Sequence, residues 1–370
     1  MVKIKRCFIL TCMLLATGSI TGCGNSTDVN QISQSISSKQ KESDSCSITR
    51  IQLSDTIQEL DRGLSAIRFK GNDGFDEFLA QGGADSDSDV AEYLTSNLKD
   101  SGISILFGKN PFGCSTLSVA GSDGGYLFGR NFDWNNCNAL IVSASPENAY
   151  ASVSTVNLDF VQAGGIDISG MPDNIQALVG MYAPLDGMNE KGLAVSVNMI
   201  QDSAAIDQNT GKTGLTTTTA VRLLLNKAAD VDEAVKLLGD YDMHGSMGMM
   251  IHFAIADASG KSVVVEYINN QMHVTDTPVV TNFYLTEGDK YGIGTSQSHE
   301  RYEILTDLIS QNKQMSKVDV RDALDRVSKH NFNEYESTEW SIVMDQENKE
   351  LTYYHREDYT KGYSIQIGQK

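Results

Sequence analysis

The sequence predicts an α+β protein in which antiparallel sheets are covered by helices, and three observations carry that prediction. Strand-type alternation opens at Cys114 and returns twice further on. Helical apolar spacing fills the intervals between the strand groups, and the links within each group are hairpin turns rather than long crossovers. No repeat of 20 to 50 residues is present, so the chain is read as one catalytic-sized body and not as an array.

The elements follow in order. Lys3, Lys5 and Arg6 give a basic start, and Phe8 to Ala16 give an apolar run too short to span a bilayer as a permanent helix. Ile20-Thr21-Gly22-Cys23 resembles a bacterial lipobox, which makes residues 1–22 a lipoprotein signal peptide and Cys23 the lipidated residue. The alternative is an ordinary secretory signal cut nearby; both take the chain out of the cytoplasm, to the outer face of the cell membrane if the anchor is present. Residues 23–45, rich in Ser, Asn, Gln and Lys, read as a flexible tether. Ile51, Ile57, Leu60, Leu64 and Ile67 recur at near-helical spacing, and so do Val90, Tyr93, Leu94 and Leu98 behind the acidic run Asp85 to Asp89. Residues 46–113 are therefore expected to be a helical N-terminal segment.

From Cys114 the alternation of Thr116, Ser118 and Ala120 with Leu117 and Val119 predicts a strand, Ser122-Asp123-Gly124-Gly125 a turn, and Tyr126 to Trp134 the return strand. A second hairpin is expected from Ala177 to Pro184, a turn at Asp186 to Gly192, and Leu193 to Ile200. Helices are expected over Thr216 to Ala229 and Asp232 to Leu238, then strands over Met249 to Asp257, Ser262 to Asn269, Gln271 to Asp276 and Pro278 to Asn282. Ser298 to Gln311 and Val318 to Lys329 read as helices; Trp340 to Asp345, Glu350 to His355 and Tyr363 to Ile367 close the chain as strands.

Charge and cysteine usage exclude some functions. The formal net charge of −19 becomes more negative once the three signal cations leave, which argues against nucleic acid as a partner. No basic stretch follows Cys23, so contact with a membrane would rest on the lipid anchor itself. Self-association into a homo-oligomer is left open. Cys46, Cys114 and Cys137 remain in the mature chain, an odd number, with a Cys46–Cys137 bridge as one open pairing. There is no CxxC, HExxH or His-rich tract, hence no expected metal or cofactor.

The chemistry is expected at Gly113-Cys114. If Asp123 and Gly124 are the two loop residues of the hairpin, Cys114 lies opposite Asp133 on one face, and Arg130 needs a bulge at Gly129 to join them. A three-residue loop shifts that pairing by one. Singly, each residue reads as ordinary: a small core cysteine, a surface arginine, an aspartate ending a strand.

Together they do not. The stretch GCSTLSVAGSDGGYLFGRNFDW resembles the start of the mature chain in the choloylglycine hydrolase and acid ceramidase group of N-terminal-nucleophile hydrolases, which share Cys, a turn, then G-R-N-x-D. Asp186-Gly187-Met188-Asn189-Glu190-Lys191-Gly192-Leu193 leading to Asn198, Gly260 to Glu266, Val280-Thr281-Asn282 and Glu300-Arg301-Tyr302 continue the resemblance in order. It implies a four-layer αββα sandwich over residues 114–370, with Cys114 as nucleophile once it becomes a chain's first residue. The freed amine takes the thiol proton, Arg130 favours the thiolate and Asp133 holds the ammonium. The side-chain amide of Asn282 and the backbone N–H of Asn198 are the implied oxyanion donors, and Arg301 the second arginine. The long leader departs from bile salt hydrolases and is similar to that of penicillin acyltransferase-like relatives, which implies self-cutting after Gly113. The implied activity is hydrolysis of a small-molecule acyl amide with an apolar acyl group. The alternatives are acyl transfer from the same acyl-cysteine, or a lipid-anchored binding protein without turnover.

Overall fold

A computed structural model describes residues 46–97, 113–135, 137–162, 168–331 and 336–368. The signal at 1–22, Cys23, the tether at 23–45 and the leader stretch 98–112 lie outside the described residues.

The N-terminal segment forms β1 (Ser47–Arg50), β2 (Gln58–Asp61), β3 (Leu64–Gly71), α1 (Phe75–Ala80) and α2 (Asp87–Asn97). Next come β4 (Gly113–Gly121), β5 (Tyr126–Trp134), β6 (Ala139–Pro146), β7 (Ser152–Asn157), α3 (Leu158–Gln162), α4 (Asp173–Tyr182), β8 (Asp186–Asn189) and β9 (Ala194–Ile200). The middle holds β10 (Gly214–Thr216), α5 (Thr217–Lys227), α6 (Val231–Gly239), β11 (Asp242–His244), β12 (Met250–Ala256), β13 (Ser262–Ile268), β14 (Gln271–Asp276) and β15 (Val279–Val280). The chain ends with α7 (Ser296–Gln311), β16 (Gln314–Met315), α8 (Lys317–Arg326), β17 (Ser337–Asp345), β18 (Glu350–His355) and β19 (Lys361–Gln366).

Two large sheets result. One runs β1-β19-β18-β17-β5-β4-β15 with β16 beside β4, and the other β14-β13-β12-β9-β8-β7-β6-β3-β2. Helices α7 and α8 pack on the first sheet, and α4, α5 and α6 on the second. The order helix, sheet, sheet, helix is the expected αββα sandwich. Alternation sorts the side chains: Cys114, Phe128, Phe132, Trp340 and Ile342 join the core between the sheets, whereas Leu117, Val119, Leu127 and Val343 meet Leu305, Val320 and Leu324 of the outer helices. The helices start where the sequence says. Thr216, Asp230 and Thr295 each accept a backbone N–H three residues on, and Ser316 with Asp319 forms a capping box.

The structure corrects the sequence reading at several points and answers the open Cys46–Cys137 pairing. Residues 51–71 are not helical: Arg62-Gly63 turns the chain, with Gly63 at φ 87°, and β3 runs parallel to β6 over its full length. A near-helical count of apolar residues was outweighed by burial between neighbours on a sheet, where Leu64, Ala66 and Ile67 are fully buried. The segment 46–113 is thus woven into both sheets, β1 pairing with β19 and β2-β3 extending the other. Ala177 to Pro184 belongs to α4 and its exit, not to a strand; the hairpin partner of β9 is β8, and Gly192 at φ 87° makes the turn. Two strands, β6 and β7, occupy a region for which the sequence reading gave no element. Cys46 and Cys137 are both free thiols rather than a bridge.

Candidate active site

The hairpin that opens the site has a three-residue turn, Ser122-Asp123-Gly124, with Gly124 and Gly125 at φ 98° and 66°. Residues with positive φ close such a turn cheaply, and the extra residue shifts the register by one. Cys114 therefore pairs with Phe132, Thr116 with Arg130, and Gly113 with Asp133. The expected Cys114–Asp133 face is overturned: Arg130 shares the inner face with Cys114 without any bulge, and Asp133 points to the outer, helix-covered face.

On the inner face everything is buried. Arg130 has no solvent exposure, and its Nε donates to Asp186 Oδ2 at 3.2 Å. Its Nη1 reaches Asn131 O at 2.9 Å and Asn198 Oδ1 at 3.3 Å, and Nη2 reaches Val197 O at 3.1 Å. Cys114 Sγ lies 3.7 Å from the same Val197 carbonyl. Burial pushes the thiol up to about 11, against the pull of Arg130 toward the thiolate. Burial also lifts the Asp186 carboxyl above its ordinary range despite Arg130. Asp186 Oδ2 additionally accepts Trp340 Nε1–H at 2.9 Å, so one carboxylate fixes both the cation and the aromatic that stacks on Phe132 at 4.0 Å.

The backbone of Cys114 is held from the other edge of β4. Its N–H donates to Asn282 Oδ1 at 2.8 Å, and its C=O accepts Arg301 Nη1 at 2.7 Å. Arg301 Nη2 also reaches Asn282 Oδ1 at 2.9 Å, and Nη1 reaches Ser115 Oγ at 2.6 Å and Asp133 Oδ2 at 3.3 Å. The Asn282 amide nitrogen donates to Met199 O at 2.7 Å. This amide therefore grips Cys114 through its oxygen, while its nitrogen is engaged by β9. Asn198 sets its side chain between Arg130, Ser196 and the carbonyls of Val280 and Thr281.

The outer face surrounds Gly113. A Cβ there would stand 2.7 Å from Asp133 Oδ2, 2.8 Å from Lys329 Nζ and 3.0 Å from Glu336 Oε2, so the slot suits only glycine as it stands. Thr338 Oγ1 donates to Asp133 Oδ1 at 2.7 Å.

Of the six candidate residues, Arg130, Asn282 and Arg301 stand against Cys114, Asp133 lies on the outer face beside Gly113, and Asn198 meets the group through Arg130. The sequence reading did not assign roles to Asp186, Thr338, Lys329 or Glu336. Asp186 and Glu266 stood inside quoted motifs, but nothing in their spacing told that Asp186 neutralises Arg130. Nor did it tell that Glu266, 2.9 Å from His252 Nδ1, receives the Leu285 and Thr286 N–H groups and pins the segment carrying Asn282. Among the described residues no group of His, Cys, Asp and Glu is placed to hold a metal ion.

Known proteins are similar to this chain to different extents. The conjugated bile acid hydrolase from Clostridium perfringens, in two variant structures, superposes with TM-scores of 0.52 and 0.50 at 19% and 18% identity. The matches cover 70% and 68% of this chain and 93% and 92% of those, a likeness of fold. The penicillin V acylase of Pectobacterium atrosepticum is 32% identical over 116 residues, 28% of this chain and 31% of that protein, so the aligned stretch spans about a third of the relative's length. A family model for acyl-coenzyme A:6-aminopenicillanic acid acyl-transferase matches residues 119–358. With that match running from the first hairpin to the last sheet strands, the chain belongs to the acyl-coenzyme A:6-aminopenicillanic acid acyl-transferase family.

Proposed function

We propose that the protein is a cysteine amidohydrolase of linear acyl amides, made active by a cut between Gly113 and Cys114. The observation that carries this reading is the threefold hold on Cys114: its N–H on Asn282, its carbonyl on Arg301, and its sulfur on the Arg130 side of the strand. A packed core cysteine needs none of these. In the uncut chain no carboxylate or imidazole among the described residues hydrogen-bonds the thiol, and burial raises its pKa to about 11, so a base is missing. The cut supplies one: an α-amine, with an ordinary pKa of about 7.7 to 8.0, on the same residue.

The reaction then runs in two halves. The sulfur adds to the amide carbonyl, its proton passes through the α-amine to the departing nitrogen, and the C–N bond breaks to leave a thioester. Water adds to the thioester, the C–S bond breaks, and the carboxylic acid leaves with the thiol restored. Substrates with an apolar acyl group, and attachment of the mature protein to the membrane through a lipid on Cys23, complete the proposal. So does retention of the cut leader: Leu64, Ile67 and Phe69 of β3 are core residues, each worth about 1.5–3 kcal/mol when buried.

Intact-mass measurement is the test. The wild type should show a break before Cys114 and release amines from a panel of acyl amides, whereas Cys114→Ala should remain whole and inactive. A fully active Cys114→Ala variant would falsify the assignment. The family's name favours a second reading, in which an amine rather than water takes the acyl group; added amine acceptors yielding new amides faster than acid would establish it.

A further inference from the structure

Resting on the reading that a freed Cys114 amine is the base, we infer that Lys329 and Glu336 tune that amine: they form a charge pair that sets its proton affinity, although neither touches the sulfur. The geometry is local. Lys329 Nζ lies 2.8 Å from where a Gly113 Cβ would be, which places it within about 6 Å of the Cys114 nitrogen by standard backbone dimensions. Charges at such range move a pKa. Lys329 is in direct contact with Glu336 and lies 3.9 Å from Asp133 Oδ2. Its side chain is 13% exposed, so solvent screens it little.

Besides the Gly113 carboxylate that the cut itself creates, the charged groups facing the amine among the described residues are these. Asp133 on β5 favours the ammonium. Arg301 on α7 disfavours it but is largely spent on Asp133 at 3.3 Å. Arg130 acts from the inner face and is matched by Asp186. His330 and Glu357 pair at 2.7 Å one step further out, where Glu357 senses Asp133. Among the described residues Lys329 is the remaining cation, and Glu336 moderates it. An α-amine beside Asp133 alone would stay protonated at neutral pH and could not accept the thiol proton. Lys329 opposes that, and Glu336 sets how strongly.

The two side chains therefore have opposite effects, which a merely structural role would not produce. Removing the cation in Lys329→Met raises the amine pKa, so the acid limb of kcat/KM moves to higher pH by about half a unit to one unit. Removing the anion in Glu336→Gln leaves Lys329 unopposed, and the limb moves to lower pH by a similar amount. Lys329→Arg, with charge kept, should overlay the wild type.

The experiment measures pH profiles on full-length protein, with rates divided by the fraction cut before Cys114 as read by intact mass. Opposite displacements support the inference; profiles that overlay, or that move together, overturn it. If Lys329→Met does not cut, Glu336→Gln against Lys329→Arg decides: an acid-shifted Glu336→Gln profile supports, and an unshifted one overturns. A wild type that turns over while uncut refutes the amine-base reading itself, an outcome distinct from flat variant profiles on a cut enzyme.

Discussion

The two faces of the β4–β5 hairpin are built from the same residues in alternation and yet obey different physics. The inner face places Cys114, Arg130 and Asp186 where water does not reach, with a single ion pair and fixed carbonyls around the sulfur. The outer face gathers Asp133, Arg301, Lys329 and Glu336 around Gly113, with several charges of both signs and partial access to solvent. Inside, each charge has one counter-charge and its loss is uncompensated. Outside, charges share partners, so a substitution shifts balances more than it breaks structure. The thiol and the cluster of shared charges are thereby separated by the thickness of one strand.

Substitutions on either face test that difference. The largest effect is expected from Asp186→Asn, which leaves the Arg130 guanidinium buried without its counter-ion. Breaking one half of a buried pair costs about 3–5 kcal/mol. Chemical denaturation should show that loss, and the cut should slow with it. A loss under about 1 kcal/mol would mean that the inner face is wet, and the contrast between faces would fail. Next comes Gly113→Ala. The three atoms its Cβ would meet are ends of side chains, so the strand should form and the charged groups should move aside. Cutting, followed by mass over time, should slow by about thirtyfold, or about 2 kcal/mol in barrier, with the melting temperature nearly unchanged. A Gly113→Ala chain that cuts at the wild-type rate would show the outer slot to be a bystander.

Much of this was legible in the sequence. The GRNFD and DGMNEKGL blocks, Asn282 and Arg301 announced the site because residue type and order survive without knowing the register. The face on which each residue lands did not, because one extra turn residue inverts every assignment along a strand; the choice between Asp123-Gly124 and Ser122-Asp123-Gly124 decided whether Cys114 met Asp133 or Arg130. The helical reading of 51–67 failed for a related reason. Ile57, Leu60, Leu64 and Ile67 fit a helix period, but β3 is flanked by β2 and β6, and burial among strands outweighs local spacing. Lys329 and Glu336 were invisible because they reach Gly113 across more than two hundred residues of chain.

The smallest effect is expected where the faces meet. Between Thr338, which pairs with Asp133, and Trp340, which pairs with Phe132, the register of β17 slips and Glu339 is the extra residue. Its carboxylate lies 3.4 Å from the Cys137 nitrogen and 3.6 Å from Arg356 Nε. Burial pushes it up to about 7 from the ordinary 4.5, more than Arg356 pulls it down. The folded chain then binds more proton than the unfolded one between those values, so stability falls as pH rises from about 4.5 through 7 and levels off above. Glu339→Gln removes the ionisation, and the variant should be the more stable of the two at pH 7.5 while matching the wild type near pH 4.5. Melting temperatures across that range measure it. Parallel pH dependences in the two proteins would place Glu339 in contact with water and move the bulge from the buried side of the hairpin to the solvated one.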